Sequence, residues 1–142
     1  MMMERNTKMK TPQHKHLMLR GFVNNPPRDT ELAVDMLRDL VHFLKMKILQ
    51  GPFSSYVNED GNRGITGVVM IETSHIAFHI WDEQNPAFIQ FDIYTCGDLD
   101  EVATLEKLRE MFDFSEYEYL VYDRENRFEL SRIGDYQKLP TI

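Results

Sequence analysis

The chain has 142 residues, 42% of them hydrophobic, which suits one globular domain with its own core and leaves no room for a second domain. Asp and Glu (23) outnumber Lys and Arg (16), giving a formal net charge of −7, and no basic stripe runs along any segment, so the sequence argues against nucleic-acid binding and favours a cationic ligand. A single cysteine excludes an internal disulfide, and because there is neither a signal-peptide pattern nor an apolar run long enough to span a membrane, we expect a cytoplasmic protein.

The chain begins with a predicted tail and a strand. Residues 1–15 are polar, rich in Met and Lys and without a hydrophobic period, which predicts a flexible tail. HLMLRGFV (16–23) predicts a strand, which ends at the two prolines of NNPPRD because proline fits neither a sheet ladder nor a helix interior. We therefore treat residues 16–142 as a single domain.

A helix is predicted next. Asp29 or Thr30 supplies its cap, and the apolar residues that follow recur at the spacing of one helix face, so we expect the helix to end near Gly51. These residues are Ala33, Leu37, Leu40, Val41, Leu44 and Ile48. The stretch GPFSSYVNEDGNRG (51–64) is predicted as a loop.

Three strands and a second helix follow. The runs GITGVVMIE (64–72), HIAFHIW (75–81) and PAFIQFDIY (86–94) are rich in β-branched and aromatic residues, which predicts strands. CGDLDEVATLEKLREMF (96–112) predicts a helix whose capping box is Asp98 with Glu101. Its apolar stripe is Val102, Leu105, Leu108 and Phe112.

The last two runs predict a closing hairpin and complete the fold. YEYLVYD (117–123) and RFELSRI (127–133) read as its strands. The order β-α-β-β-β-α-β-β predicts an α/β (α+β) two-layer sandwich, with an antiparallel-rich sheet and two main helices packed on one face.

Alternation divides the three central strands into a buried face and an open face. The predicted buried face is Ile65, Val69, Ile71, Ile76, Phe78, Ile80, Ile89, Phe91 and Ile93. Every polar residue of these strands except Thr95 falls on the open face. Alternation alone favours a solvated sheet face there, with a ligand site or a dimer interface as alternatives. Because Trp81, Phe88 and Tyr94 make the face partly apolar, we expect a symmetric dimer to cover it.

The segment ETSHIAFHIW (72–81) carries an unusual turn. A two-residue turn at Thr73 and Ser74 pairs Glu72 with His75, yet such turns prefer Gly or Asn at positive φ. Either the loop is longer or the peptide before Ser74 is strained. A serine hydroxyl beside its own upstream carbonyl can attack it, giving an ester that eliminates and hydrolyses to leave an N-terminal pyruvoyl group.

The same register brings reactive side chains to the open face. Thr66 lies diagonal to His79 and on the same side as Cys96. We therefore expect a hydroxyl, an imidazole and a thiol to share one surface.

These residues carry a family resemblance. ITGVVMIETSHIAFHIWDE followed by DIYTCGD resembles the bacterial-type S-adenosylmethionine decarboxylases, whose proenzymes typically read VSGVVxIxESHxxIHTWPE and then DxFTCGD. The resemblance is specific over about residues 64–98. It implies a self-processing, pyruvoyl-dependent decarboxylase of S-adenosylmethionine that serves spermidine synthesis, and a homodimer whose sites are built from both protomers. The pyruvoyl group derived from Ser74 would form a Schiff base with the substrate amine and act as electron sink, so no external cofactor and no metal is implied.

The resemblance also implies roles residue by residue. Ser74 matches the serine that becomes the pyruvoyl group, so cleavage falls between Thr73 and Ser74. His79 matches a histidine that assists processing, and Thr66 stands where the family has a processing serine. Cys96 matches the acid that returns a proton to the product carbon.

Three further residues are implied in substrate binding. Glu83 matches an acidic residue that binds substrate, and Phe53 and Tyr56 lie where the family offers an aromatic ring to the adenine. The chain departs from the family pattern at Thr73, which replaces a glutamate, and at Asp82, which replaces a proline.

Two alternatives stand beside this interpretation. The first is an uncleaved, catalytically silent homologue that binds a ligand or a partner through the open face, for which the replacement at Thr73 is the best argument. The second is a relative that decarboxylates arginine or ornithine. Because a silent homologue has no need to keep Thr66, Ser74, His79 and Cys96 together, the sequence favours the enzyme.

Overall fold

The computed structural model describes residues 14–139, so residues 1–13, most of the predicted tail, lie outside the described part. The elements in chain order are β1 (Lys15–Asn24), α1 (Thr30–Phe43), β2 (Ile48–Val57), β3 (Gly64–Ile71), β4 (Ser74–Trp81), β5 (Ala87–Thr95), α2 (Glu101–Met111), β6 (Asp113–Asp123) and β7 (Glu129–Gln137). Neither described helix is both long and apolar enough to cross a membrane.

The seven strands form one antiparallel sheet in the order β2-β3-β4-β5-β1-β6-β7. β1 therefore lies between β5 and β6, while β3, β4 and β5 are neighbours in space as they are in sequence. Both helices bury their apolar sides in the single core on one face of the sheet. This confirms the predicted two-layer α+β sandwich.

The core lies where alternation along the strands predicted it. All nine residues of the predicted buried face are at most 3% exposed. They pack against Leu37 and Leu40 of α1 and against Leu105 and Leu108 of α2. Burial of this face fixes the register of the sheet, because a slip by one residue would turn every core side chain towards solvent.

The first helix is shorter than predicted, and the segment after it was predicted wrongly. α1 ends at Phe43, and Lys45 follows with a positive φ of 57°, so the predicted helix end near Gly51 was wrong. Ile48 begins β2, which pairs with β3, so the predicted loop from residue 51 was also wrong. Leu44 and Ile48 continue the helical spacing by chance. The spacing could not show that the helix ends before them, because the pairing of β2 with β3 decides where it ends.

The second helix starts later than predicted. Asp100 is its N-cap and accepts a hydrogen bond from the backbone N–H of Ala103 at 3.0 Å, so the predicted capping box of Asp98 with Glu101 was wrong. With that start, the buried side falls on Thr104, and the side chain of Val102 is exposed. The closing hairpin is confirmed as β6 and β7, each longer than its predicted run.

Candidate active site

The turn between β3 and β4 holds Ser74 in a strained conformation. Ser74 pairs with Ile71 as the first residue of β4, so the turn residues are Glu72 and Thr73, and the predicted turn at Thr73 and Ser74 was wrong. The φ of Ser74 is +144°, which L side chains rarely adopt and which costs about 1–3 kcal/mol. Of the two explanations that the sequence left open, strain is the one found: the turn has two residues, and the positive φ lies at Ser74, just after them.

The carbonyl before Ser74 is already polarised. The backbone N–H of Cys96 donates a hydrogen bond to the carbonyl oxygen of Thr73 at 2.9 Å. A donor in this position stabilises negative charge on that oxygen if a nucleophile adds to the carbonyl carbon. Cys96 thus reaches the turn through its backbone, while its thiol is free and half-buried.

A second reactive pair lies farther along the same strands. Thr66 on β3 and His79 on β4 are direct cross-strand partners, and the Thr66 hydroxyl oxygen lies 3.0 Å from Nδ1 of His79. The predicted register had placed them diagonally, and the earlier turn accounts for the difference. A hydroxyl at this distance fixes the orientation of the imidazole, whose other nitrogen remains available for proton transfer.

The turn and the Thr66–His79 pair do not meet within one protomer. Ser74 and His79 are five residues apart on one extended strand, which corresponds to about 16 Å at roughly 3.3 Å per residue. Cys96 lies just beyond the residue that pairs with Ser74, so it belongs to the turn end. Thr66 and His79 therefore share the open face, but Cys96 lies at the turn end, so the hydroxyl, the imidazole and the thiol do not form one site within one protomer.

Between these two ends, the open face carries a cluster of histidines around a carboxylate. Oδ2 of Asp92 lies 2.8 Å from Nε2 of His16 and 3.3 Å from Nε2 of His75. Burial raises the pKa of Asp92, but the hydrogen bonds and charges of His16 and His75 outweigh it and hold the pKa below its ordinary value. Over residues 14–139 this is the one His and carboxylate cluster tight enough to hold a metal ion.

Sequence reasoning placed His75 and Asp92 on the open face but did not include His16. Strand β1 is far from β5 in sequence, and alternation shows faces but not strand order. The available signal was that the even-numbered residues of β1 face the same side of the sheet as Asp92, and His16 is one of them.

A cleft of about 870 Å³ opens beside the cluster, between β1, β5, β6 and β7. His79 lines it together with Asp92, Glu118 and Asp135, and Arg20 supplies positive charge. Carboxylates thus outnumber the guanidinium in its wall. The cleft suits a ligand with a cationic group.

The three residues predicted to bind substrate have different surroundings. Phe53 is exposed on the open face opposite Val68. Tyr56 packs against the core and donates its hydroxyl to Asp82 at 2.8 Å. Glu83 accepts hydrogen bonds from two backbone N–H groups of the β2–β3 loop, which hold the pKa of its carboxyl below the usual value.

Comparison with known proteins gives a consistent match. Residues 15–125 match the family model described as S-adenosylmethionine decarboxylase. An S-adenosylmethionine decarboxylase proenzyme from Archaeoglobus fulgidus is 32% identical over 91 residues, which cover 63% of this chain and 80% of that protein. A relative of the same name from a Hydrogenobaculum species is 34% identical over 68 residues, 46% of this chain and 49% of the relative. The matched residues run from β1 to the end of β6.

Proposed function

The chain belongs to the S-adenosylmethionine decarboxylase family, and we propose that it is a proenzyme that cuts itself between Thr73 and Ser74 and then decarboxylates S-adenosylmethionine. The family resemblance noted in the sequence is confirmed by this membership. Self-cleavage, the substrate of this chain and the role of its product in spermidine synthesis form the proposal.

The observation that carries the proposal is the geometry at Ser74. Its positive φ strains the peptide that would be cut, and the N–H of Cys96 is aimed at the carbonyl oxygen that would gain charge. In the first step Oγ of Ser74 adds to the carbonyl carbon of Thr73. The carbon–nitrogen bond between the two residues then breaks, leaving an ester and a free amino group on Ser74.

The ester is removed by elimination. Loss of the Cα proton of Ser74 breaks its Cβ–Oγ bond, which releases Thr73 as a carboxylate and leaves an enamine at residue 74. Tautomerisation and hydrolysis by one water then release ammonia and leave the pyruvoyl group. A histidine such as His79 suits the proton transfers, since imidazole exchanges protons near neutral pH.

Because Ser74 and His79 are about 16 Å apart on one strand, a complete site needs a second copy of the chain. We propose a homodimer in which the Thr66–His79 pair of one protomer faces the turn of its partner. Apolar side chains exposed on the open face, including Met18, Val68 and Met70, support an interface there.

The chain's own residues suit a cationic amino acid substrate. The acidic cleft beside His79 and the exposed ring of Phe53 favour a ligand with a positive charge and an aromatic base. The pyruvoyl group would supply the electron sink for loss of CO2. Cys96, half-buried at the turn, is the proposed donor of the proton that replaces the carboxylate.

Release of labelled CO2 tests the substrate. We expect release from S-adenosylmethionine labelled at its carboxyl carbon, little from arginine or ornithine, and none from a Ser74→Ala control. Full release by Ser74→Ala would contradict the pyruvoyl mechanism. Binding of S-adenosylmethionine by an intact chain without CO2 release would favour the silent homologue, and release from arginine or ornithine alone would change the substrate.

A further inference from the structure

Thr95 carries a buried hydroxyl that takes no part in the proposed steps of cleavage or decarboxylation. It is the last residue of β5, has no exposed surface, and is the polar residue that alternation placed on the helix-covered side of the central strands. Its Oγ1 donates a hydrogen bond to Oγ1 of Thr73 at 2.8 Å and accepts one from the N–H of Gly97 at 3.0 Å. The Thr95 hydroxyl is therefore fixed by the N–H of Gly97 and in turn fixes the hydroxyl of Thr73.

Residues 95–97 together fix Thr73 at several points. The hydroxyl of Thr95 holds its side chain, and the N–H of Cys96 holds its carbonyl oxygen. Gly97 leaves the space for its methyl group, since a Cβ at Gly97 would lie 3.3 Å from Cγ2 of Thr73. The side chain and the carbonyl oxygen of Thr73 are thus each held by a hydrogen bond from the segment 95–97.

We propose that Thr95 is a positioning residue for self-cleavage. By holding the hydroxyl of Thr73, it keeps the Thr73 carbonyl on the N–H of Cys96 and in reach of the Ser74 hydroxyl. The inference rests on the proposed self-cleavage and assigns to Thr95 a part in the first step only. The Thr95 hydroxyl is hydrogen-bonded to the Thr73 side chain and to the N–H of Gly97 and to neither of the reacting atoms, so its assigned role is positioning and not catalysis.

The contact suits the threonine that this chain carries at position 73. A β-branched side chain in the turn has few rotamers, and one of them places its hydroxyl on Thr95. The turn is thus stabilised by a hydrogen bond between Thr73 and Thr95. Substitution of either threonine by valine removes this bond.

Cleavage kinetics of Thr95→Val and Thr95→Ser test the proposal. Newly synthesised chains are sampled over time, and the fraction cut is measured by denaturing mass spectrometry. We expect Thr95→Val to cut roughly tenfold more slowly, as the loss of one buried hydrogen bond implies, and Thr95→Ser to stay close to wild type. Cleavage of Thr95→Val at the wild-type rate would overturn the proposal.

Thr104→Val is the matched control. Thr104 is equally buried and donates its hydroxyl to the backbone oxygen of Asp100 at 2.7 Å, but it lies in α2. Both valine variants lose a buried hydroxyl, yet only Thr95→Val should slow cleavage. Equal slowing by Thr104→Val would show that general destabilisation is the cause and would overturn the proposal.

Two further measurements separate positioning from catalysis. CO2 release per cut chain should be unchanged in Thr95→Val, because Thr73 is no longer joined to Ser74 after cleavage. A Thr73→Val/Thr95→Val double variant should cut no more slowly than Thr95→Val, since the Thr73–Thr95 contact is already lost in Thr95→Val. A fall in turnover per cut chain, or additive slowing in the double variant, would contradict the assigned role.

Hydroxylamine locates the affected step, because it cleaves an ester that has formed and does not help it to form. We expect it to leave Thr95→Val slow, and full rescue would place the defect after ester formation and overturn the proposal. If wild type itself never cuts, the proposed function fails. If wild type cuts and Thr95→Val cuts equally fast, only this inference fails.

Discussion

Ser74 holds a backbone conformation that is strained for a residue with a side chain. Its φ of +144° is open to glycine without strain. We therefore expect Ser74→Gly to be more stable than Ser74→Ala by about 1 kcal/mol or more. Neither variant can cut itself, so thermal unfolding compares two intact chains. Equal melting temperatures would show that the serine conformation stores no strain.

The two roles proposed for Cys96 belong to different groups, its backbone N–H and its thiol, and they can be separated by substitution. Cys96→Ala removes the thiol but keeps the backbone N–H that donates to the Thr73 carbonyl. We expect the variant to cut itself but to turn over at least tenfold more slowly, since one proton donor is lost. Cut fraction and CO2 release on the same sample check this. Unchanged turnover would remove Cys96 as the proton donor.

Among the site residues, the structure differs from the sequence-based expectation in their arrangement: Thr66 and His79 pair directly, and Ser74 lies just after the turn. The strain at Ser74 was one of two explanations that the turn composition allowed, because neither Thr73 nor Ser74 is a glycine or asparagine, which adopt a positive φ readily. The hydrogen bond from Cys96 was out of reach, since it depends on where the end of β5 lies beside the turn.

The central strands were the most predictable elements. β3, β4 and β5 are buried on one face only, so their period of two is plain in the sequence. β2 was missed because Gly51 and Pro52 resemble a turn, yet it is an edge strand, where proline is tolerated. Strand pairing, which the local sequence does not show, decided that assignment.

The N-cap of α2 is predicted to contribute to the stability of the fold. Asp100 caps the helix, while Asp98 lies outside it. We expect Asp100→Ala to lower the free energy of unfolding by about 1 kcal/mol and Asp98→Ala to change it little. Denaturant unfolding of both variants checks the difference. A larger loss with Asp98→Ala would support the capping box predicted from the sequence instead.

The residues of the proposed reaction lie at two separate places along strand β4. The turn with Ser74 lies at one end of β4 and the Thr66–His79 pair lies towards the other. The five-residue spacing between Ser74 and His79 on one strand already implies this distance. The assignment of residues to faces of the sheet does not show it. In the proposed symmetric dimer, one end would face the other without any change in the fold.

Complementation between two inactive variants tests that arrangement. Ser74→Ala keeps His79, and His79→Ala keeps Ser74, so a mixed dimer would contain one complete site. We expect co-expression of the two to restore cleavage of the His79→Ala chain and part of the CO2 release, while each variant alone shows neither. No restoration in a mixed dimer that has been shown to form would mean that each site is built within one protomer.

Denaturing mass spectrometry of the freshly purified chain is the decisive test of self-cleavage between Thr73 and Ser74. We predict two chains that join at Thr73 and Ser74, the second lighter by one ammonia than a fragment beginning with an unmodified serine. One intact chain after prolonged incubation would contradict self-cleavage and favour the silent homologue.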